Sequence, residues 1–178
     1  MITHKGTRPI KTERISLRKI LPGDAEMMYE FMSDPEVLRY EDMDPHPNAE
    51  FTRGYISYLT GDYKSDSTYC WGIERDKELI GFIMVVGVQE WNGVLAYYLK
   101  RSCWSKGYTA EAAKAVIKYM FDEVGIARIS AKHSTKNPAS GKVLQKVGMN
   151  YMGHVRENEY YVSKSEWQDC DFYSICNR

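Results

Sequence analysis

The chain has 178 residues, 43% hydrophobic and 27% charged, a composition that suits one globular domain and excludes a disordered or collagen-like polymer. Lys plus Arg number 24 and Asp plus Glu 24, so the formal net charge is zero and the global positive field of a sequence-independent DNA binder is absent. The longest apolar run, Ile80 to Val88, is interrupted by two glycines and is too short to span a bilayer; a cytoplasmic location is expected.

Nothing in the composition divides the chain, so residues 12–178 read as a single domain behind a loose N-terminal segment, residues 1–11. Alternation across Arg14 to Arg18 predicts a first strand. Pro22-Gly23-Asp24 then opens a helix that buries Met28, Phe31 and Met32 and stops at Asp34-Pro35. A second helix is expected from Asn48 to about Leu59, ended by Gly61-Asp62. Thr68 to Glu74, Leu79 to Val88 and Val94 to Leu99 read as strands joined by hairpin connections, a β-meander. Ala113, Val116, Ile117, Met120, Phe121 and Val124 recur at helical spacing before Gly125. Arg128 to His133 reads as a strand. Asn137 as cap and Pro138 as first residue start a last helix that buries Ala139, Val143, Leu144 and Val147. Strands around Tyr151 to Val162 and Cys170 to Cys176 complete an α+β fold with a mixed sheet.

Cys70, Cys103, Cys170 and Cys176 have neither redox-pair nor zinc-ligand spacing, so reduced thiols are expected. His133 and His154 have no metal-binding partners in sequence and read as structural; no metal is expected.

The informative stretch runs from Tyr97 to Ala112 and joins a buried strand to a long helix through Gly107. Such a junction aims unpaired backbone N–H groups and the positive end of the helix dipole at one point, which suits a phosphate. An ordinary strand-to-helix turn with one glycine looks the same in sequence. Neither G-x-x-x-x-G-K-[ST] nor G-x-G-x-x-G occurs, so nucleotide hydrolysis and Rossmann binding lack support.

Charge is unevenly spread. Lys100 to Lys146 carries ten Lys or Arg against Glu111, Asp122 and Glu123, whereas Asp24 to Glu50 carries nine acids against Arg39. Either block alone reads as a solvated helix face. Together they suit a polyanionic cofactor and a cationic acceptor steered into one cleft.

The run Trp104-Ser105-Lys106-Gly107-Tyr108-Thr109-Ala110-Glu111-Ala112, followed by Asn137-Pro138-Ala139-Ser140 with Leu144 and Gly148, resembles the GNAT acetyltransferase superfamily. It resembles most closely the Rim-type branch that acetylates ribosomal-protein N-termini; Trp167-Gln168-Asp169 and Tyr173-Ser174 are similar to that branch's closing strand. Two positions depart from the pattern: Trp104 stands where Arg or Gln is usual, and Thr109 replaces a small residue, where it either crowds the diphosphate or donates its hydroxyl.

The resemblance implies a largely antiparallel sheet split at a cofactor cleft, with helices on both faces, and an acetyl-CoA-dependent N-acetyltransferase. Cofactor contacts are implied at Tyr98, Leu99, Trp104, Ser105, Lys106, Gly107, Tyr108, Thr109, Asn137 and Ser140, with a backbone N–H near Tyr98 or Leu99 facing the thioester oxygen. Ser140 is the implied proton donor to the departing thiolate and Glu159 the implied base, Glu157 being its neighbour one strand period away. Read as residues alone, Ser140 is equally a first-turn serine bonded to backbone and Glu159 an exposed strand carboxylate. Tyr98 is expected to wall the acceptor pocket.

The favoured acceptor is a cationic amine at a protein N-terminus of ribosomal-protein type. A polyamine or aminoglycoside-like amine is the alternative, and a noncatalytic acyl-CoA-binding module is the alternative from another class. No direct nucleic-acid or membrane partner is expected, and a homodimer is expected by family analogy.

Overall fold

A computed structural model describes residues 2–177. Its elements, in chain order, are β1 (Ile10–Lys11), β2 (Ser16–Arg18), α1 (Ala25–Met32), α2 (Ala49–Thr60), β3 (Cys70–Arg75), β4 (Glu78–Val86), β5 (Gly93–Leu99), α3 (Tyr108–Tyr119), β6 (Arg128–Ser134), α4 (Pro138–Lys146), β7 (Asn150–Tyr161) and β8 (Glu166–Cys176). Local chemistry sets many of the boundaries. Asn48 caps α2 by accepting the Phe51 N–H at 2.8 Å, and Gly61 ends the helix in the left-handed region. Asn137 caps α4 in the same way, accepting the Ser140 N–H at 3.2 Å, with Pro138 at the first helical position. Asp76 and Lys77, both at positive φ, turn β3 into β4.

The strands form one sheet in the order β1-β2-β3-β4-β5-β6-β8-β7. Every neighbouring pair is antiparallel except β5 and β6, which run parallel and pair only at Gly93 with Ile129 and Val94 with Ser130. Beyond those residues β5 follows β4 as far as Leu99, while β6 follows β8 as far as Ser134. The sheet is therefore open between them.

Alternation along the strands feeds two cores, one on each face. Ile80, Ile83, Val85, Leu95 and Leu99 pack with Ala112, Ala113, Val116 and Met120 of the α3 region and Leu144 of α4. On the other face, Leu79 and Phe82 pack with Ala25, Met28, Phe31 and Met32 of α1 and Ile56 of α2. Leu79 and Phe82 share a face although three positions apart, because the β3–β4 register shifts there: Ile73 faces Gly81 and Glu74 faces Leu79, leaving Ile80 as the bulged residue. A Cβ on Gly81 would stand 2.3 Å from the Tyr98 carbonyl oxygen, so only glycine permits this approach of β4 to β5.

Residues before Thr12, set apart in the sequence as a loose segment, include the short strand β1 and several long-range bonds. The buried Thr7 hydroxyl donates to the Thr68 carbonyl at 2.8 Å and accepts the Cys70 N–H at 2.9 Å. The Trp71 indole N–H donates to the Arg8 carbonyl at 2.7 Å. One packing expectation is corrected. Ala139 is exposed, because it lies five residues before the buried Leu144 and so roughly 140° around the helix; the buried stripe passes through Gly141 instead. Cys70, Cys103 and Cys170 are buried free thiols and Cys176 is an exposed one. Among the described residues, no helix is long and apolar enough to cross a membrane, and no cluster of three or more His, Cys, Asp or Glu has metal-binding geometry.

Candidate active site

The loop between β5 and α3 is built from backbone. The Trp104 indole N–H donates to the Leu99 carbonyl at 2.7 Å, tying the loop back to the strand end. Ser105 and Gly107 both take positive φ, and α3 starts at Tyr108 with no side-chain cap, so its first-turn N–H groups remain unpaired at the loop. Ser105 and Lys106 are exposed, whereas Tyr108 and Thr109 are buried in the first turn. Arg14 braces this region: it donates to the Lys106 carbonyl at 2.9 Å, pairs with Glu111 at 2.6 Å, and lies 4.9 Å over the Tyr108 ring. Burial pushes the Glu111 carboxyl up, but its bonds from Thr12 and Arg14 outweigh this and hold it below the ordinary carboxylate range.

A Cβ built on Gly107 would lie 3.4 Å from an Arg14 guanidinium nitrogen and 3.7 Å from the Lys146 ammonium. Two cations thus flank the amide-rich turn. Neither was singled out from sequence, since Arg14 and Lys146 reach Gly107 only through tertiary packing.

Next to this loop, the opening between β5 and β6 holds a cavity of about 450 Å³. Lys100 N–H donates to the Ile80 carbonyl at 2.8 Å, so strand alternation turns the Tyr98 N–H towards β4 and those of Tyr97 and Leu99 towards the opening. Of the two candidate oxyanion donors, Leu99 is the one whose N–H faces the gap.

The two faces of the cavity differ. On the α4 side, the Ser140 hydroxyl lies 2.9 Å from the Tyr97 hydroxyl, which also donates to the Ser140 carbonyl at 3.2 Å. Burial pushes the Tyr97 phenol up to about 12, opposed by its bond with Ser140, so it remains a proton-bearing donor at neutral pH. Asn137 lines the same wall, its side-chain oxygen already committed to the cap and its amide NH₂ left for other contacts.

On the opposite side, Tyr98 stacks on Phe82 at 4.7 Å and its hydroxyl donates to Glu41 at 3.0 Å. Its side chain therefore walls the pocket away from the loop. Glu159 also lines the cavity and is paired with Lys132. Glu157 sits at a bulge in β7 with positive φ and is exposed; it does not line the cavity. Glu41 lies between α1 and α2, and its burial, opposed by the Tyr98 bond, raises its carboxyl above the ordinary range. Sequence reading placed it only within an acidic block. The loop carrying it is fastened to the β7–β8 turn: Asp42 accepts the Ser163 N–H and hydroxyl at 2.9 and 2.8 Å, and the Tyr161 hydroxyl donates to the Tyr40 carbonyl at 3.1 Å.

The exposed N–H groups of the β5–α3 loop follow the strand that lines the cavity, and the cavity carries hydroxyls on one side and carboxylates on the other. The profile of the acetyltransferase (GNAT) domain matches residues 14–150.

The chain belongs to the GNAT acetyltransferase family.

Its similarity to other GNAT proteins extends over nearly the whole chain. It is 31% identical over 170 residues to the uncharacterized N-acetyltransferase YoaA of Bacillus subtilis (strain 168), covering 93% of this chain and 95% of that one. It is 30% identical over 172 residues to the ribosomal protein uS5-alanine N-acetyltransferase of Escherichia coli (strain K12), covering 90% of this chain and 86% of the relative. The crystal structure of a GNAT acetyltransferase from Bacillus anthracis superposes with a TM-score of 0.84 at 27% identity, covering 96% of this chain and 99% of that one. The open, largely antiparallel sheet is thus the GNAT fold and the protein is an acetyltransferase, an enzyme class whose acyl donor is acetyl-CoA.

Proposed function

We propose that this GNAT enzyme moves the acetyl group of acetyl-CoA to the amine of a protein N-terminus of ribosomal-protein type, by direct attack in a ternary complex. One observation carries the reading: a single cavity through the sheet joins the Ser140–Tyr97 hydroxyl pair on one side to the Glu41 and Glu159 carboxylates on the other. The similarity to the uS5-alanine acetyltransferase supports a protein amine as acceptor.

Bound acetyl-CoA supplies an activated acetyl thioester. The chain's own groups do the rest. The N–H groups from Ser105 to Ala110, flanked by Lys106, Arg14 and Lys146, hold the diphosphate. Trp104 keeps the strand end and the loop in register through its bond to Leu99. The Leu99 N–H faces the oxygen on which charge grows, and the Asn137 amide meets the amide-bearing arm. Ser140 donates a proton to the departing sulfur and is resupplied through Tyr97. A carboxylate of the cavity, of which Glu159 is the candidate read from sequence, receives the proton of the acceptor ammonium. An α-amino group, with a pKa near ~8, demands less of that base than a lysine near ~10.4.

A ribosomal-type acceptor places the enzyme in the cytoplasm, and a homodimer follows by family analogy. Incubation with acetyl-CoA and ribosomal-protein N-terminal peptides, polyamines and aminoglycosides, read by thiol release and mass spectrometry, tests the proposal. Transfer to the α-amine of the peptides is expected, with Ser140→Ala slower by about 10²-fold at unchanged acetyl-CoA affinity. Faster transfer to a polyamine or aminoglycoside would replace the acceptor. Transfer to no amine would overturn the reading.

A further inference from the structure

Three carboxylates line the cavity in unequal settings, and Asp42 is held below its ordinary range by the Ser163 N–H and hydroxyl it accepts. Glu159 is paired with Lys132 and is partly exposed on β7. Glu41 has no salt-bridge partner among the described residues: the ammonium of Lys164, whose charge bears on it, is bonded to the carbonyls of Leu38 and Glu41. Its Oε2 instead accepts the neutral Tyr98 hydroxyl at 3.0 Å. Glu159 is thus engaged by a cation, whereas the half-buried Glu41 carboxylate faces the cavity with only a hydroxyl bonded to it.

Resting on the acetyltransferase reading above, we infer that Glu41 is the proton acceptor for the incoming amine, with the Lys132–Glu159 pair shaping the mouth beside it. The substrate ammonium gives one proton to Oε of Glu41, which frees the nitrogen lone pair. The C–N bond forms as the C–S bond breaks. The second proton lost from nitrogen passes through water to the Ser140–Tyr97 pair, replacing the one that pair delivers to sulfur, and Glu41 returns its own proton to water. The products are an amide, a thiol and one released proton. Burial is the main cause that raises the Glu41 carboxyl, which brings it towards the working pH of a general base. The groups facing it are Tyr98 from β5, Tyr55 from α2, Lys132 from β6, Glu159 and Tyr161 from β7, and Lys164 from the β7–β8 turn.

The test compares Glu41→Gln, Glu159→Gln and Tyr98→Phe. In the wild type, kcat/KM rises with pH through one ionisation above the ordinary carboxylate range. Glu41→Gln loses that limb and about 10²- to 10⁴-fold in kcat, a deficit that shrinks for acceptor amines of lower pKa. Glu159→Gln keeps the limb. Tyr98→Phe moves it to higher pH, because the lost hydrogen bond favoured the ionised carboxylate.

A second readout needs no acceptor. A carboxyl whose folded pKa exceeds its unfolded value binds more protons in the folded state, so stability falls as pH rises between the two values. Glu41→Gln therefore melts higher than the wild type at pH above that window and gains less below it. Kinetics of Glu41→Gln within about threefold of wild type, with its pH limb intact, would overturn the assignment. A limb lost in Glu159→Gln instead would do the same. Wild-type protein that acetylates no amine would refute the proposed function, while the melting comparison would still report on Glu41.

Discussion

Gly141 shows how narrowly single residues set this site. A Cβ there would stand 2.6 Å from Nε2 of His133, and that ring cannot yield easily. Its Nδ1 lies 2.7 Å from the Ser134 carbonyl, so Nδ1 carries the hydrogen, and the ring stacks on Tyr173 at 5.6 Å. Gly141→Ala should destabilise the fold by about 1–3 kcal/mol through overpacking, measured by urea unfolding, and should lower kcat by displacing the adjacent Ser140. Wild-type stability and turnover would show that the His133 ring moves aside. Asn137 was legible in the sequence as the cap of α4 because a cap and a proline have local signatures, whereas a role for Ser140 entered only with the family resemblance. Tyr97 and Glu41 were not, because their roles arise from partners 43 and 57 positions away in the chain.

At the scale of elements, the acceptor side is a wall made by two segments distant in sequence. The loop after α1, which puts Leu38 into the core beside α1 and α2, and the turn between β7 and β8 are joined by Lys164 and Ser163. Lys164→Ala should loosen this wall: the acceptor KM rises while calorimetric affinity for acetyl-CoA stays unchanged. Equal weakening of both ligands would contradict a wall confined to the acceptor side. The elements were largely legible, since α2 and α4 obey their caps and β3, β4 and β5 obey alternation and turn signals. Short β1 was not, because it consists of two residues whose pairing with β2 has no periodic pattern to read. The bulge at Ile80 also escaped, being a property of register between strands rather than of one strand's sequence.

For the whole molecule, the opposed charge blocks visible in the sequence meet rather than stand apart. Lys100 pairs with Glu30 at 2.6 Å and with Glu78 at 2.5 Å, and Arg101 lies 3.6 Å from Asp34, so part of each block is neutralised at their seam. Arg14 and Lys146 beside Gly107, and Glu41 and Asp42 at the other mouth, keep the two ends of the cleft opposite in sign. Raising ionic strength from about 0.05 to 0.5 M should therefore lower kcat/KM for a cationic peptide more than for an acceptor of no net charge. Equal salt dependence for the two would argue against steering.

A crystal structure with coenzyme A bound tests the donor site most directly. The diphosphate should lie within hydrogen-bond distance of the N–H groups between Ser105 and Ala110, and the thiol should enter the gap between β5 and β6 facing Ser140. Coenzyme A seated anywhere else, or with its thiol outside that gap, would contradict the account.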